Sequence, residues 1–370
     1  MSFSVTKEKL CEGGSYMWEG KPQQKYCEDL MKTSKGIEKF NQHNCEKPLI
    51  GRPLKKFEFY TLSNDRWENT LKPSDLSLND TIYIKNSKIN LYTFNSENFG
   101  DAINKLFWEN LTQNTIYNNN SELHYITTGS IMCLVNNNSI IFGSGFISNN
   151  GDLGGGNFHS NSNIKYKTPH KIIAVRGPLS RKKMLDFNIE CPENYGDPLI
   201  LMPCLNSNYK YIEDNIIGII PHFIDKNNKN YILLKTNLEN KGYIVKFIDI
   251  EVGSNHNKLI NEINNCKYII SSSLHGVIMG LVYKKKTIFI QFSDKVIGND
   301  FKFQDFFKSV NITYKNINTY DIGILDNIIN IDYEYLIKIG IKLISLIPFI
   351  SSGRKTELTI KYKNFYNSTF

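Results

Sequence analysis

No two of the seven cysteines stand close together in the chain, and seven is an odd number. Cys11, Cys27, Cys45, Cys133, Cys191, Cys204 and Cys266 therefore exclude a disulfide framework or a cysteine-based structural zinc site as the organising device. A reducing, cytoplasmic compartment is expected. His43 beside Cys45 offers two ligand types and no third, so neither a metal nor another cofactor is expected. No apolar run reaches the roughly 20 residues that span a bilayer. The best stretch, residues 339–350, is short and carries Lys342, and the N-terminus lacks a signal-type apolar core. The apolar stripe on the helix expected over 333–350 can pack across the two domains or touch a membrane surface, packing being the expectation. There is no Walker sequence and no glycine fingerprint for a dinucleotide.

Positive charge is in mild excess, 44 Lys and Arg against 36 Asp and Glu. It is not gathered into a stripe, which argues against a nucleic-acid partner. The densest groups, Arg181-Lys182-Lys183 and Lys284-Lys285-Lys286, read as solvated helix ends. A net charge of +8 still steers small anions toward the protein.

What the chain has is apolar mass, 41% of residues with 22 Phe and 21 Tyr, enough for large cores over two or three domains. Residues 1–88 carry no motif and read as an N-terminal extension of unknown role, with a helix expected over 22–40 and β-leaning pieces at 56–60 and 81–84. From residue 89 short apolar strands alternate with amphipathic helices, the pattern of parallel sheets covered by helices. Strands are expected at 89–94, 139–142, 171–175, 216–220, 243–248, 266–270 and 287–291, with helices near 101–111, 274–283, 302–307 and 333–350. The alternation breaks near 205–214, where Asn206-Ser207-Asn208 reads as a linker. The expected fold is α/β, with two Rossmann-like domains, 89–208 and 209–330, facing across a cleft, then a helix and tail over 331–370. Ligands in such sheets bind at the carboxyl ends of the strands.

Several strand ends carry chemistry. Tyr268 to Gly276 delivers Ser271-Ser272-Ser273 to a helix start at Leu274, where free backbone N–H groups favour an anion, and places His275 in the first turn. The plainer alternative is that Ser273 caps the helix and His275 is polar surface. Arg176, in Val175-Arg176-Gly177-Pro178, lies where a strand meets a helix. Its guanidinium suits a carboxylate or phosphate, and equally an interdomain ion pair. Asn98, Gly100, Asp101 and Asn104 form a further turn, with Asp101 a possible cap; Gly143-Ser144-Gly145 forms another, and His222 follows Pro221 at a strand end.

Taken in order, Asn98 to Asn104, Gly143 to Phe146, Arg176 to Arg181, Gly196-Asp197-Pro198, Ile220-Pro221-His222, Ser271 to Gly276 and Lys302-Phe303 resemble the polysaccharide pyruvyl transferase family. The resemblance spans residues 89 to about 310. It implies a two-domain fold of the glycosyltransferase-B type. It also implies transfer of pyruvate from phosphoenolpyruvate onto two hydroxyls of a sugar or glycan acceptor, as a cyclic ketal, with no metal required. Carried over, Arg176 and His275 become the catalytic pair. Ser272, Ser273, Leu274, Asn98, Gly100, Asp101, Asn104, Gly143, Ser144, Gly145, His222 and Lys302 line the substrates. The departure is at Tyr283, followed by three lysines where relatives have a Gly-Ile-Pro-like turn, which questions the path into the next strand and the charge beside the cleft. A nucleotide-sugar glycosyltransferase is the alternative, though residues 276–286 hold no carboxylate to grip a ribose; a non-catalytic glycan-binding protein is the second.

Overall fold

The computed structural model describes residues 88–94, 96–149, 166–212, 215–313, 317 and 319–368, together with the backbone of 60–63 and 66–69. The helix expected over 22–40 and the strand at 81–84 lie outside the described residues. The chain divides into two compact units. The smaller comprises residues 1–89, 112–116 and 347–356, and within it Tyr60–Ser63 pairs antiparallel with Arg66–Asn69. The larger, residues 90–111, 117–346 and 357–370, holds both α/β halves.

In the first half, β1 (His124–Ile126), β2 (Ser139–Phe142) and β3 (Lys171–Ala174) are parallel, in the order β1-β2-β3. Single parallel bridges from Leu91 to Tyr125 and from Tyr195 to Val175 widen the sheet on both sides. All four residues of β2, Ser-Ile-Ile-Phe, are buried, as a central parallel strand covered on both faces requires. In the second half, β4 (Ile216–Ile220), β5 (Ile244–Phe247), β6 (Tyr268–Ser271) and β7 (Lys286–Phe289) are parallel in the order β7-β6-β4-β5. Their register aligns Ser271 with Ile220 and with Phe289. His222 and Ser272-Ser273 therefore leave the sheet side by side. Gly218 is needed in the middle strand, because a Cβ there would stand 2.6 Å from Ile248 Cδ1 and 2.9 Å from Cys266 Sγ.

The helices are α1 (Asn104–Thr112), α2 (Pro178–Asp186), α3 (Lys229–Glu239), α4 (His256–Asn264), α5 (Leu274–Val282), α6 (Phe301–Ser309), α7 (Tyr333–Leu346) and α8 (Ser352–Asn367). The helix expected near 101–111 is split: Phe99–Ala102 is one turn, and α1 follows. The long closing helix stops at Leu346, four residues early, and α8 follows as a helix of its own that the sequence pattern did not reveal. The stripe on α7 is core, with Leu336, Leu343 and Ile344 buried. Among the described residues no helix is long and apolar enough to cross a membrane.

Three expectations are corrected. Asn206 is no free linker: its amide donates to Asn257 Oδ1 at 2.8 Å and its carbonyl accepts from Tyr283 Oη at 2.6 Å. Lys183 and Lys285 are not solvated. Lys183 Nζ donates to the carbonyls of Ser148 and Asn149, and Lys285 Nζ to those of Asn264 and Lys210. Burying an ammonium is tolerable here because its N–H donors are met by carbonyls. The three-lysine turn after α5 is built by Lys284 at φ 54°, and its Nζ turns back to the carbonyl of Tyr366 at 3.1 Å. The path into β7 is thus intact.

Candidate active site

The turn after residue 97 opens on Asn98, whose Oδ1 accepts from the Gly100 amide at 3.2 Å. Asn104 staples the turn from below: its Nδ2 reaches the Thr128 carbonyl at 3.2 Å, and its Oδ1 accepts from Thr127 Oγ1 at 2.9 Å. Both residues, expected to meet substrate, shape the backbone at Gly100 and Asp101. The reason lies opposite. The ring of His275, from the second half, packs against Gly100 so closely that a Cβ there would be 1.7 Å from Nδ1. Gly100→Ala is expected to push the ring aside and lower turnover by about a hundredfold, since an ångström of misplacement is enough. Steady-state kinetics together with an unchanged thermal transition would check this.

His275 is 7% exposed. Its Nε2 faces Asp197 Oδ2 at 3.6 Å, and both atoms are buried without a hydrogen-bond partner. Asp197 is held by its own turn, where Oδ1 accepts from the Leu199 amide at 3.0 Å. The amides of Leu274, His275 and Gly276, at the start of α5, have no partner among the described residues, and neither does Ser273 Oγ. Ser272 is committed elsewhere: its Oγ accepts from the His222 amide at 2.8 Å and donates to the buried Asp225 at 3.4 Å.

His222 Nδ1 accepts from the Ile224 amide at 3.3 Å, so its remaining proton belongs on Nε2. Burial, and then the charge of Lys302, push its pKa down to about 3, which keeps it neutral. Lys302 itself is 8% exposed, and its Nζ has no hydrogen-bond or carboxylate partner among the described residues. Burial lowers it to about 8; Arg176 pushes the same way and Asp101 opposes. Asp101 is raised by burial, eased by His275 and Lys302 and pushed further by Asp197. Asp101, Asp197, His222, His275 and Lys302 thus share one neighbourhood drawn from both halves. Among the described residues no group of three His, Cys, Asp or Glu side chains is placed to hold a metal ion.

Arg176 takes the ion-pair alternative. It is fully buried, with Nε 3.1 Å from Asp305 Oδ2, NH1 donating to Ser130 Oγ at 2.6 Å and NH2 to the Phe146 carbonyl. Asp305 also accepts from the amides of Leu179 and Ser180 at 2.9 Å each, so a carboxylate on α6 caps α2. The Gly143-Ser144-Gly145 turn packs into this construction. A Cβ on Gly145 would meet the guanidinium carbon at 2.5 Å, one on Gly143 would meet Pro198, and Ser144 Oγ donates to the Gly129 carbonyl.

Asp197 stands in the Gly196-Asp197-Pro198 motif with no assigned task, and Asp305, Ser130 and Asp225 lie in none of the candidate motifs. An Asp-Pro before an apolar run signals a cap; nothing local signals a reach to His275.

An uncharacterised protein of Acanthamoeba polyphaga mimivirus is 27% identical over 251 residues, covering 64% of this chain and 79% of the viral protein. No solved structure matches. The sequence model of the family described as polysaccharide pyruvyl transferase matches residues 58–294. That span is more than half of the chain and includes every strand of both parallel sheets and the helix bearing His275, so the chain belongs to the polysaccharide pyruvyl transferase family.

Proposed function

We propose that the protein transfers the pyruvyl group of phosphoenolpyruvate to two hydroxyls of a sugar acceptor, at the carboxyl ends of two sheets facing each other in a glycosyltransferase-B-like arrangement. The observation that carries this is a buried ammonium, Lys302, with no hydrogen-bond or carboxylate partner among the described residues, in the neighbourhood of an imidazole at a helix start whose amides are free among those residues. A small polyanion with a carboxylate and a phosphate needs such fixed donors, and they act most strongly where water is excluded.

The reaction sets the tasks. The donor's methylene carbon gains one proton and its C2 forms bonds to both sugar oxygens. The C–O bond to phosphate breaks. Of the two hydroxyl protons released, one balances the new methyl group and the other leaves with phosphate. His275 is the proton carrier in this scheme; its Nδ1 lies against Gly100 and has no hydrogen-bond partner among the described residues. Lys302, Ser273 Oγ and the α5 amides hold the donor's carboxylate and phosphate. Arg176, locked to Asp305, adds positive potential beside Lys302 rather than a direct contact.

The direct test incubates candidate glycans with protein and phosphoenolpyruvate and reads the gain of one pyruvyl ketal by mass spectrometry. Absence of any product and of phosphate release across an acceptor panel, in protein that binds the donor, would refute the transfer. Lys302 supplies a second expectation. Its charge is present below about pH 8 and lost above it. Donor affinity, measured by calorimetry, should therefore fall about fivefold between pH 8 and 9, and Lys302→Met should be weaker throughout and lack that step.

A further inference from the structure

We infer that Asp197 is a positioning residue that fixes the tautomer of His275, keeping the proton on Nε2 and leaving Nδ1 unprotonated. The assignment deepens the transferase reading and rests on it only for its kinetic consequence. Its basis is geometric. Asp197 Oδ2 and His275 Nε2 are each buried and each lack any other partner, and they face one another at 3.6 Å across the two halves. Two orphaned buried polar atoms, one an acceptor and one able to donate, are costly apart and satisfied together. The gap is somewhat beyond a hydrogen bond, as catalytic contacts often are before substrate tightens a site.

The rest of the site leaves the pair little freedom. Asp197 cannot rotate away without losing the Leu199 amide, which Oδ1 accepts at 3.0 Å. Its neighbour Gly196 holds φ 136°, open to glycine, with Leu343 and Ile339 packed where a Cβ would stand. The ring of His275 cannot slide because Gly100 floors it. An imidazole clamped between a carboxylate and a glycine backbone has one nitrogen committed. Nδ1, the nitrogen beside Gly100, is the one left without a proton, as in any base whose other nitrogen is oriented by a carboxylate.

The same geometry predicts what asparagine does there. In Asp197→Asn the Leu199 N–H still requires an oxygen, so the new NH2 group is directed at His275 Nε2. A donor meeting a donor is repulsive, so the ring moves its proton to Nδ1 and Nε2 becomes the acceptor. The base is then in the wrong tautomer while the fold and cap persist.

The test is nitrogen NMR of protein carrying labelled histidine, with the His275 signals assigned by a His275→Gln variant, alongside kinetics. Expected are Nε2–H in the parent and Nδ1–H in Asp197→Asn. Turnover should fall by at least about a hundredfold, with the donor KM within twofold. Nδ1–H in the parent, or unchanged turnover in a folded Asp197→Asn protein, overturns the assignment. If that variant does not fold, the parent tautomer alone decides the matter. The spectra need no donor, so Nε2–H in a protein that never consumes phosphoenolpyruvate would defeat the transferase reading and leave the Asp197–His275 arrangement standing.

Discussion

His275→Ala is expected to lower phosphoenolpyruvate-dependent phosphate release by roughly a thousandfold, within the range that general acid–base groups contribute. The fold should survive, because the ring is an inter-half contact at a helix start, packed on Gly100 rather than among apolar core side chains. Donor affinity should change little, since Lys302 and the α5 amides remain. Coupled phosphate detection with calorimetric donor binding separates the two effects. A variant with parental turnover would remove the imidazole from the mechanism, whereas loss of both turnover and binding would make His275 a donor ligand. The comparison with Asp197→Asn is informative. If Asp197 acts through His275, adding Asp197→Asn to His275→Ala costs almost nothing further, since the two act as one unit.

The largest effect on stability is expected from Asp305→Ala. The substitution leaves the Arg176 guanidinium buried without its counter-charge and uncaps the amides of Leu179 and Ser180. Breaking a buried pair from one side costs about 3–5 kcal/mol, to be read as a lowered urea midpoint with an unchanged slope. Removing the charge on both sides, Arg176→Met with Asp305→Asn, should cost less than Asp305→Ala alone: no isolated charge remains and the asparagine oxygen still caps α2. A double variant as unstable as the single one would mean that the packing of the guanidinium matters more than its charge. Ser180 Oγ adds a 2.6 Å donation to Asp305 Oδ2, so Ser180→Ala is a milder probe of the same cap.

The strand periodicity was legible because parallel strands buried on both faces must be apolar throughout. Ser139–Phe142 and Ile216–Ile220 could be read residue for residue on that ground. His124–Ile126 could not: three residues are too few for a pattern, and its burial comes from what surrounds it. Helix α8, Ser-Gly-Arg-Lys-Thr at its start, carries no stripe strong enough to announce it, although Leu358, Tyr362, Phe365 and Tyr366 are buried along its far end. Lys285 shows the limit of reading charge locally. Three lysines in a row look solvated until the carbonyls of Asn264 and Lys210 come within reach of one of them.

By itself the sequence determined which residues stand at strand ends, because apolar runs, glycines and helix-starting residues are local facts. It thereby placed His275 and Ser273 among the candidates, and the motif order of the family added Lys302. Only the tertiary structure decided what those residues face. Arg176 had two equal prospects on spacing, and the approach of α6 settled its side chain on Asp305, a partner far along the chain. Asp197, by contrast, had a local task as a cap and acquired a second when the other half brought an imidazole to 3.6 Å. Ion pairs and proton-holding contacts between distant segments depend on distance in space, and short-range pattern carries no record of that.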